Sequence, residues 1–575
     1  MNYELRNEVD RKLTPIQTIF KNRGMGYSPE EIKHYIDPTE DDLYDVKSIE
    51  HIKEGAAMLM SHIQNNDKVL LVVDEDCDGY TSSAFFLNYF YKLFPSFVQN
   101  NIKYVVHPNK AHGIPIDLVK EEKLVIVPDA SSNEYDIHKL LKSRGIDVLV
   151  IDHHEAPKFS EYACVLNNQV GDYPNKSLSG VGMVYKFCKY FDLLMNTHYC
   201  DGMLDLVALG LVGDMMDLRN FETRYLVKKG FELVTNPFIQ AMVIKQSYSI
   251  GDQLNPHTAA FYIVPSINAV TRVGSIEEKL IMFESMLTFK AEELIPSNGR
   301  GKKGELEPRV TQAIRNCTNL RNKQNRLKED LVKEIDDIIE KQELLTKDKI
   351  LVIKVKDPID AGITGLVANQ VANKYQRPTL ILNKIEEDGV VMYRGSGRNY
   401  ANSPIKDLRH LLESTGLFEY AQGHASAFGC SIPNKDIGQF LKITNELLKD
   451  IDFQYKYEVD LEYNNDTISS YDIIDIAGCK DLWGQAIEEP YICIQNVVVN
   501  KDNLHLYKEK VLKIDGPDVT YVNLSSNPDE FNSLYSELGC VTINIIGICS
   551  INDWDNSAQV LIKDYEIVRK AEYYF

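Results

Sequence analysis

Short apolar segments between residues 67 and 235 constrain the fold of this chain more than any other feature. The segments KVLLVV, IKYVVH, KLVIVP and IDVLVI are almost continuously apolar, and helix-like stretches such as SAFFLNYFYKLF and IHKLLKSR separate them. Strands that are apolar on both faces are typical of a parallel sheet with helices on each side. The region therefore predicts an α/β domain built on a parallel sheet.

The rest of the chain divides by a change of pattern. A basic, glycine-rich loop (SNGRGKKGELEPR) leads into a long charged helix, a second α/β pattern follows, and short alternating segments near the C-terminus indicate a compact all-β module. We expect five segments: an N-terminal helical extension that packs on the first α/β domain (1–66), that domain (67–296), the basic loop and connecting helix (297–347), the second α/β domain (348–450) and the all-β module (451–575).

Composition limits the environment and the partners of the protein. With 575 residues, 44% of them hydrophobic, the chain can build several cores, and its formal net charge of -21 disfavours general attraction to a polyanion or an anionic membrane. Any polyanion must meet a local basic patch or a bound metal. Ten cysteines without a CxxC pair, no apolar leader and no long apolar run predict a cytoplasmic protein with reduced thiols and no membrane contact.

Acidic residues and histidines follow several of the apolar segments. Asp74, Asp76 and Asp78 follow the first, Asp129 follows KLVIVP, the Asp152-His153-His154 triplet ends IDVLVI, and Asp214 ends LDLVALGLVGD. Loops at the carboxyl ends of parallel strands form the ligand crevice of such sheets. Taken singly, an acidic loop is usually solvated, an aspartate before a helix is usually an N-cap, and a histidine pair is usually surface or core.

Together these side chains predict a metal centre. Carboxylates with imidazole and without thiolate suit Mn²⁺ or Mg²⁺, and several converging acids repel one another unless cations neutralise them. Two ions are expected, because a two-metal site activates water and stabilises both oxygens of a displacement at phosphorus.

The motifs DEDCDG, PDA, IDHH and VALGLVGD resemble, in order and context, the four metal-binding motifs of the DHH phosphoesterase superfamily. Four further segments extend the resemblance to the RecJ family: RGMGYSPEEIKHYIDPTEDDLYD, which begins at Arg23, HPNKAHGI, LSGVGMVYKF and PSINAVTRVG. The resemblance implies metal ligation by Asp74, Asp76, Asp78, Asp129, His153 and Asp214, with Asp129 as the bridge between the ions, Asp74 either ligating or orienting another ligand, and Asp76, Asp129 and His154 as the catalytic set. Glu75 stands where the family commonly has an aromatic residue, and we expect it to face away from the metals.

The second α/β segment resembles the DHHA1 domain that follows the catalytic domain in this superfamily. Its glycines in YRGSGRNY and QGHASAFG can bring backbone close to a ligand, although a glycine-rich turn alone is more often structural. The resemblance implies substrate or phosphate contacts by Ser396, Arg398, Gly423 and His424, by Arg272 of NAVTRVG and by Lys110, which replaces the usual arginine and lacks its bidentate fork.

Two further basic regions are weaker candidates for nucleic-acid contact. The C-terminal module resembles an oligonucleotide-binding (OB) barrel, in which the aromatic residues and lysines of HLYKEKVLK can stack on bases and follow phosphates; by composition alone, an ordinary β core with solvated lysines is favoured. The run GRGKK, with Arg309, Arg315, Arg321, Lys323 and Arg326, either guides a strand or is a solvated linker face.

The resemblance implies a metal-dependent 5′→3′ exonuclease that releases 5′ mononucleotides from single-stranded DNA, serving DNA repair, recombination or replication. The partners it implies are single-stranded DNA and a single-strand-binding protein or a helicase, and we expect a monomer. Two alternatives stay open: a phosphodiesterase for oligonucleotides or linear or cyclic dinucleotides, and a non-catalytic DNA-binding replication scaffold. The complete set of acids and histidines disfavours the scaffold, and the C-terminal module disfavours a small substrate.

Overall fold

The computed structural model describes residues 1–572 except 8–9, 11, 109–111, 252, 303, 356–357, 388, 402, 454, 538 and 553. The helices are α1 (Pro15–Asn22), α2 (Pro29–Ile36), α3 (Ile52–Gln64), α4 (Cys77–Leu93), α5 (Pro95–Asn101), α6 (Tyr135–Ser143), α7 (Gly180–Met195), α8 (Leu204–Gly213), α9 (Phe221–Glu232), α10 (Pro237–Lys245), α11 (Ser247–Ile250), α12 (Pro256–Thr258), α13 (Val264–Val273), α14 (Ile276–Ser285), α15 (Arg309–Gln342), α16 (Leu344–Lys347), α17 (Ala361–Tyr375), α18 (Leu408–Ser414), α19 (Ile437–Leu447), α20 (Ser470–Gly478) and α21 (Pro528–Leu534).

The strands are β1 (Tyr3–Leu5), β2 (Val69–Val73), β3 (Ile102–Val106), β4 (Leu124–Pro128), β5 (Asp147–Asp152), β6 (Cys164–Asn167), β7 (Leu294–Pro296), β8 (Leu306–Pro308), β9 (Leu351–Lys354), β10 (Thr379–Glu387), β11 (Val390–Arg398), β12 (Tyr420–His424), β13 (Ala427–Pro433), β14 (Tyr457–Asn464), β15 (Tyr491–Val499), β16 (Leu504–Tyr507), β17 (Val511–Asp515), β18 (Thr520–Asn523), β19 (Gly539–Ile551) and β20 (Ala558–Glu572). The chain forms two compact units, one from Glu40 to Phe453 and one that joins Met1–Thr39 to Gln454–Phe575.

A parallel sheet in the first unit confirms the α/β prediction. Its strand order is β3-β2-β4-β5-β6, and all neighbouring pairs are parallel. Every residue of β2 and β4 is buried, since α4, α6 and α7 contact the sheet. Because the strands run in one direction, Asp74, Asp129 and Asp152 all lie at the same edge.

The second sheet has the order β12-β13-β11-β10-β9, with β9 and β10 parallel and the other pairs antiparallel. The predicted connecting helix is α15, which is 34 residues long. It contacts α13 and α14, and also α17, the helix between β9 and β10 of the second sheet. Val332, Ile335 and Ile339 of α15 share a core with Ile353 and Val367. Charged residues mark α15 along its length, and no helix in the described residues is both long and apolar enough to cross a bilayer.

The second unit is built on an eight-stranded mixed sheet of order β1-β14-β15-β19-β20-β18-β17-β16. The strand-rich C-terminal module was expected, and its long β19–β20 pair forms the centre of the sheet. The edge strands β1 and β16 do not pair with each other in the described residues. That this sheet closes into an OB-like barrel therefore stays a prediction.

Residues 40–66 lie in the unit that contains the first α/β domain, whereas the first 39 residues differ from the expectation that all of 1–66 pack on that domain. Residues Met1–Thr39 belong to the C-terminal unit, where β1 pairs in parallel with β14. Arg23 donates two hydrogen bonds, of 2.8 and 2.7 Å, to the buried carboxylate of Asp460, and its guanidinium lies 5.5 Å from the centre of the Trp483 ring. A buried carboxylate needs such a partner, so Arg23 fixes the N-terminal segment to this unit.

Candidate metal centre and phosphate site

The loop after β2 presents three aspartates at the beginning of α4. Asp76 is the N-cap of the helix, and its Oδ1 accepts a hydrogen bond from the Gly79 backbone N at 3.0 Å. A Cβ at Gly79 would lie 2.6 Å from the backbone oxygen of Asp74, so only glycine fits this turn. Asp74 and Asp78 are 1% exposed. The turn thus directs the carboxylates of every second residue, Asp74, Asp76 and Asp78, towards one site.

Asp129 is held in an unusual backbone conformation at the end of β4. Its φ is +67°, a region that non-glycine residues rarely occupy, and its backbone N donates to the Ile151 carbonyl at 2.8 Å. Such conformations cost free energy and cluster at functional sites. The buried Oδ1 of Asp129 has no hydrogen-bond partner among the described residues.

His153 lies among three of the predicted ligands. Its Nε2 is 3.2 Å from Oδ1 of Asp129, 3.4 Å from Oδ2 of Asp214 and 3.9 Å from Oδ2 of Asp78. The side chains group into overlapping sets that can hold an ion, which are Asp74, Asp76 and Asp129; Asp78, His153 and Asp214; and Asp129, Asp152, His153 and His154. All six predicted metal ligands therefore converge.

The electrostatics of this cluster fit divalent cations. Burial raises the pKa of the Asp74 and Asp78 carboxyls, and burial followed by repulsion from Asp78 raises that of Asp129 well above its usual range. Burial and the charge of Asp78 raise the pKa of Asp214 to about 8. Carboxyls that resist ionisation in the absence of cations, with unpartnered Oδ1 atoms on Asp74 and Asp129, form a donor set suited to hard metal ions.

Asp152 orients His154, a role that the sequence motif did not reveal. Oδ1 of Asp152 accepts from Nδ1 of His154 at 2.8 Å, and Oδ2 accepts from the Ser132 backbone N at 3.0 Å. Although burial lowers the pKa of His154, the bond to Asp152 raises it to about 9, while the same bond holds the pKa of Asp152 below its usual range. Asp152 thereby orients the half-exposed imidazole of His154 beside the cluster.

Two other partners were also missed from sequence. His112 Nδ1 lies 2.7 Å from Oδ2 of Asp74. Asp78 accepts from Ser179 Oγ at 2.8 Å and from the backbone N of Gly180 and Val181 at 2.6 and 3.1 Å, at the N-terminus of α7. The segments HPNKAHGI and LSGVGMVYKF, which carried the family resemblance, contain His112 and the Ser179–Val181 donors, but the sequence did not show what these residues contact. Helix N-termini favour negative groups, so α7 fixes the Asp78 carboxylate in place.

Glu75 faces away from the cluster, as expected. Its carboxylate forms an ion pair with Lys279 of α14, and both side chains are 2% exposed. The ammonium neutralises the extra acid, so Glu75 adds no net charge to the metal site.

Two arginines from separate elements both pack against α17, Arg272 next to Gly362 and Arg398 next to Gly365. Arg272 lies on α13 and feels the charge of Asp76, and Arg398 ends β11; burial and then the positive charge of Arg272 lower the pKa of Arg398. No carboxylate forms an ion pair with either guanidinium among the described residues. Glycines of α17 allow this approach, since a Cβ at Gly365 would lie 2.5 Å from Nη2 of Arg398 and 3.5 Å from Oγ of Ser396.

The other predicted substrate contacts are His424, Gly423 and Lys110. His424 and Arg398 both pair with Ala427 of β13, from opposite sides, so one strand separates them. Gly423 has a φ of +132°, which favours glycine, and His424 is exposed. Lys110 lies outside the described residues.

Several guanidiniums of the basic stretch are used within the protein. Arg309 pairs with Glu284 and Glu293, and Arg315 with Glu307. Arg321 donates to the carbonyls of Phe261 and Tyr262, at 2.8 and 2.9 Å, in a π-helical turn over Ala259–Ile263 that leads into α13. These three residues therefore stabilise the structure, whereas Lys323 and Arg326 are exposed.

Comparisons with known proteins agree with this geometry. Residues 68–211 match the family model described as "DHH family, N-terminal domain", and residues 347–450 match the model "DHHA1 domain". YorK of Bacillus subtilis, named as a candidate SPbeta prophage-derived single-strand DNA-specific exonuclease, is 36% identical over 581 residues, covering 100% of this chain and 99% of that protein. The single-stranded-DNA-specific exonuclease RecJ of the same organism is 25% identical over 584 residues, covering 96% and 68%.

A crystal structure of Thermus thermophilus RecJ in complex with Mn²⁺ superposes with a TM-score of 0.70 and 17% identity, covering 96% of this chain and 76% of that one. Fold and cluster thus define a protein that contains a DHH domain and a DHHA1 domain. Within that class, the chain belongs to the family that contains YorK and the RecJ proteins.

Proposed function

We propose that this protein is a metal-dependent exonuclease that hydrolyses single-stranded DNA from the 5′ end and releases 5′ mononucleotides. The observation that carries the proposal is the cluster of carboxylates around His153, whose Nε2 lies 3.2 Å from Asp129 and 3.4 Å from Asp214. Arg272 and Arg398 supply positive charge, and both pack against α17. An unmatched pair of guanidiniums beside a carboxylate cluster is suited to hold a phosphate next to metal ions. The full-length similarity to YorK supports a long single strand as substrate.

We assign Asp74, Asp76, Asp78, Asp129, His153 and Asp214 as ligands of two Mn²⁺ or Mg²⁺ ions. Two such ions activate a water molecule and stabilise the attacking and the leaving oxygens of an in-line displacement. Asp129 belongs both to the set with Asp74 and Asp76 and to the set with His153, which supports its assignment as the bridging ligand.

The remaining side chains bind and orient the substrate. His154, oriented by Asp152, donates to the scissile phosphate and stabilises negative charge that develops there. Arg272, Arg398 and Ser396 hold a phosphate of the terminal nucleotide, and Lys110, Gly423 and His424 are proposed as further substrate contacts. Fixing the 5′ end in this way places the first phosphodiester at the cluster, which accounts for release of mononucleotides.

The cellular setting is part of the same proposal. We infer a cytoplasmic, monomeric enzyme of DNA repair, recombination or replication that works with a single-strand-binding protein or a helicase. We keep 67–296, 348–450 and 451–575 as the catalytic, DHHA1 and OB-like segments.

The test is digestion of one long oligonucleotide labelled separately at its 5′ and 3′ ends, with Mn²⁺, beside the same sequence as a blunt duplex. Immediate release of a labelled mononucleotide from the 5′ end, with the duplex intact, is expected. Arg398→Ala should raise KM at unchanged metal content, and Arg326→Ala, at an exposed position on α15, is its control. An intact polymer together with cleaved dinucleotides would replace the proposal by the dinucleotide phosphodiesterase, and no cleavage of either would favour the scaffold.

A further inference from the structure

The last residue of β6 closes a hydrogen-bonded ring at the edge of the sheet that carries the metal cluster. This residue is Asn167, which pairs with Asp152 of β5 in the parallel register, and both side chains are buried. Strand β6 contributes none of the predicted metal ligands, yet it ends beside them in a buried amide. A buried amide needs hydrogen-bond partners, so the partners of Asn167 indicate where it acts.

Both N–H groups and the oxygen of the Asn167 amide form hydrogen bonds. Nδ2 donates to the backbone carbonyl of His154 at 2.9 Å and to Oγ of Ser132 at 2.7 Å, and Oδ1 accepts from the Gln169 backbone N at 2.7 Å. An amide with both donors and its acceptor occupied has one orientation. Asn167 therefore joins the turn after β4, which contains Ser132, to the segment after β5, which contains His154.

Asp152 completes the ring from the other side. Its Oδ2 accepts from the Ser132 backbone N at 3.0 Å. Its Oδ1 accepts from the His154 backbone N at 3.2 Å and from Nδ1 of the His154 imidazole at 2.8 Å. His154 is thus held at its carbonyl by Asn167 and at its backbone N and its imidazole by Asp152. Because Nδ1 is occupied, Nε2 is the imidazole nitrogen that remains for a ligand.

We propose that Asn167, together with Ser132, is a positioning residue that fixes the backbone of His154 and so directs Nε2 of its imidazole towards the scissile phosphate. The inference rests on the proposed function, in which His154 donates to that phosphate. The hydrogen bonds of Asn167 end on Ser132, His154 and Gln169, none of which is a predicted metal ligand. Asn167 therefore acts on the reaction through His154, and the orientation of a group that acts in the transition state changes kcat rather than substrate binding.

The experiment is a double-mutant cycle between Asn167 and His154 in the full chain. Asn167→Ala, His154→Ala and the double variant are compared by kcat and KM on single-stranded DNA at saturating Mn²⁺. Calorimetric titration without substrate gives the Mn²⁺ affinity, and thermal melting shows that each variant is folded. Asn236→Ala is the matched control, because Asn236 is also buried and its amide donates to the Met286 carbonyl at 2.8 Å and accepts from the Phe238 backbone N at 3.0 Å.

Asn167→Ala should lower kcat about 10- to 100-fold, the usual range for loss of a residue that orients an active group, with KM and Mn²⁺ affinity within about twofold of the wild type. Asn236→Ala should lower the melting temperature similarly and leave kcat unchanged. Ser132→Ala keeps the backbone N that binds Asp152, so its loss of kcat should be smaller. In the His154→Ala background, Asn167→Ala should not lower kcat further, because the imidazole that it positions is absent.

A folded Asn167→Ala variant with the kcat of the wild type would overturn the inference, and so would a loss of kcat that adds fully to that of His154→Ala. A loss of Mn²⁺ affinity as large as the loss of kcat would also overturn it, since Asn167 would then act on the metal ligands. If Asn167→Ala does not fold, the same cycle with Ser132→Ala decides by the same criteria. Failure of the proposed function is distinguishable, because it appears already in the wild type as an uncleaved single strand.

Discussion

Replacing Gly180 with alanine tests how strictly the fold positions Asp129. Gly180 begins α7, and a Cβ there would lie 2.5 Å from Cβ of Asp129 and 2.6 Å from its carboxyl carbon. Ordinary carbon contacts need about 3.5 Å, so the Asp129 side chain must move by about 1 Å. Metal-ligand distances tolerate only about 0.2 Å. We therefore expect Gly180→Ala to weaken Mn²⁺ binding and to lower kcat/KM by about 10- to 100-fold.

The assay combines calorimetric Mn²⁺ titration with thermal melting of the metal-free protein. Gly182→Ala is the matched control, two residues along the same helix, where the atoms nearest to a Cβ belong to the side chain of Leu178, at 3.1 Å. Alanine in a helix adds about 0.5–1 kcal/mol of stability over glycine, so weaker metal binding without a comparable loss of stability isolates the ligand. Wild-type Mn²⁺ affinity in Gly180→Ala would refute the assignment of Asp129 as a ligand held rigidly by α7.

Three other perturbations test separate parts of the molecule. Mn²⁺ at 100 times its Kd should raise the stability by about 2.7 kcal/mol, which chelation reverses and Asp129→Asn largely abolishes in a melting assay; an unchanged shift in that variant would exclude it as a ligand. Burial lowers the pKa of His138 to about 4, so as the pH falls below 6.5 the unfolded chain takes up a proton before the folded chain does. In urea titrations between pH 7.5 and 5, the wild type should therefore lose about 2 kcal/mol of unfolding free energy that His138→Leu retains. Equal losses in the two proteins would contradict this. Arg321→Ala removes the donors to the π-helical turn, so it should raise KM and lower the free energy of unfolding by about 1–3 kcal/mol. Arg326→Ala should change the free energy of unfolding by less than about 0.5 kcal/mol. Equal effects of the two substitutions would show that charge alone matters.

The sequence was sufficient for the first sheet and for the convergence of its ligands. Unbroken apolar segments such as Val69–Val73 required burial on both faces, and parallel strands then required Asp74, Asp129 and Asp152 to share an edge. The expected orientation of Glu75 followed from charge alone and is confirmed by its pairing with Lys279.

What could not be predicted depends on pairs of residues far apart in the chain. Glu75 and Lys279 are separated by 204 positions, and no local pattern couples them. The three-residue strand β1 pairs with β14 across more than 450 residues, so the helical pattern of the N-terminal segment gave no information about which unit it joins. Composition likewise could not show that Arg309 and Arg315 form ion pairs with glutamates whereas Arg326 is exposed.

The distribution of charge limits where this acidic protein can hold a phosphodiester chain. Residues 454–575 contain 21 Asp and Glu against nine Lys and Arg, and Lys513 of the predicted DNA-contacting hairpin pairs with Asp515 at 2.8 Å. General attraction to phosphate is therefore weak there, and any contribution of that hairpin must come from stacking on aromatic rings such as Tyr507, which is 52% exposed. Recognition of phosphate must instead depend on unmatched guanidiniums. In the proposed function, Arg272 and Arg398 meet that requirement and the predicted metal ligands supply the cations.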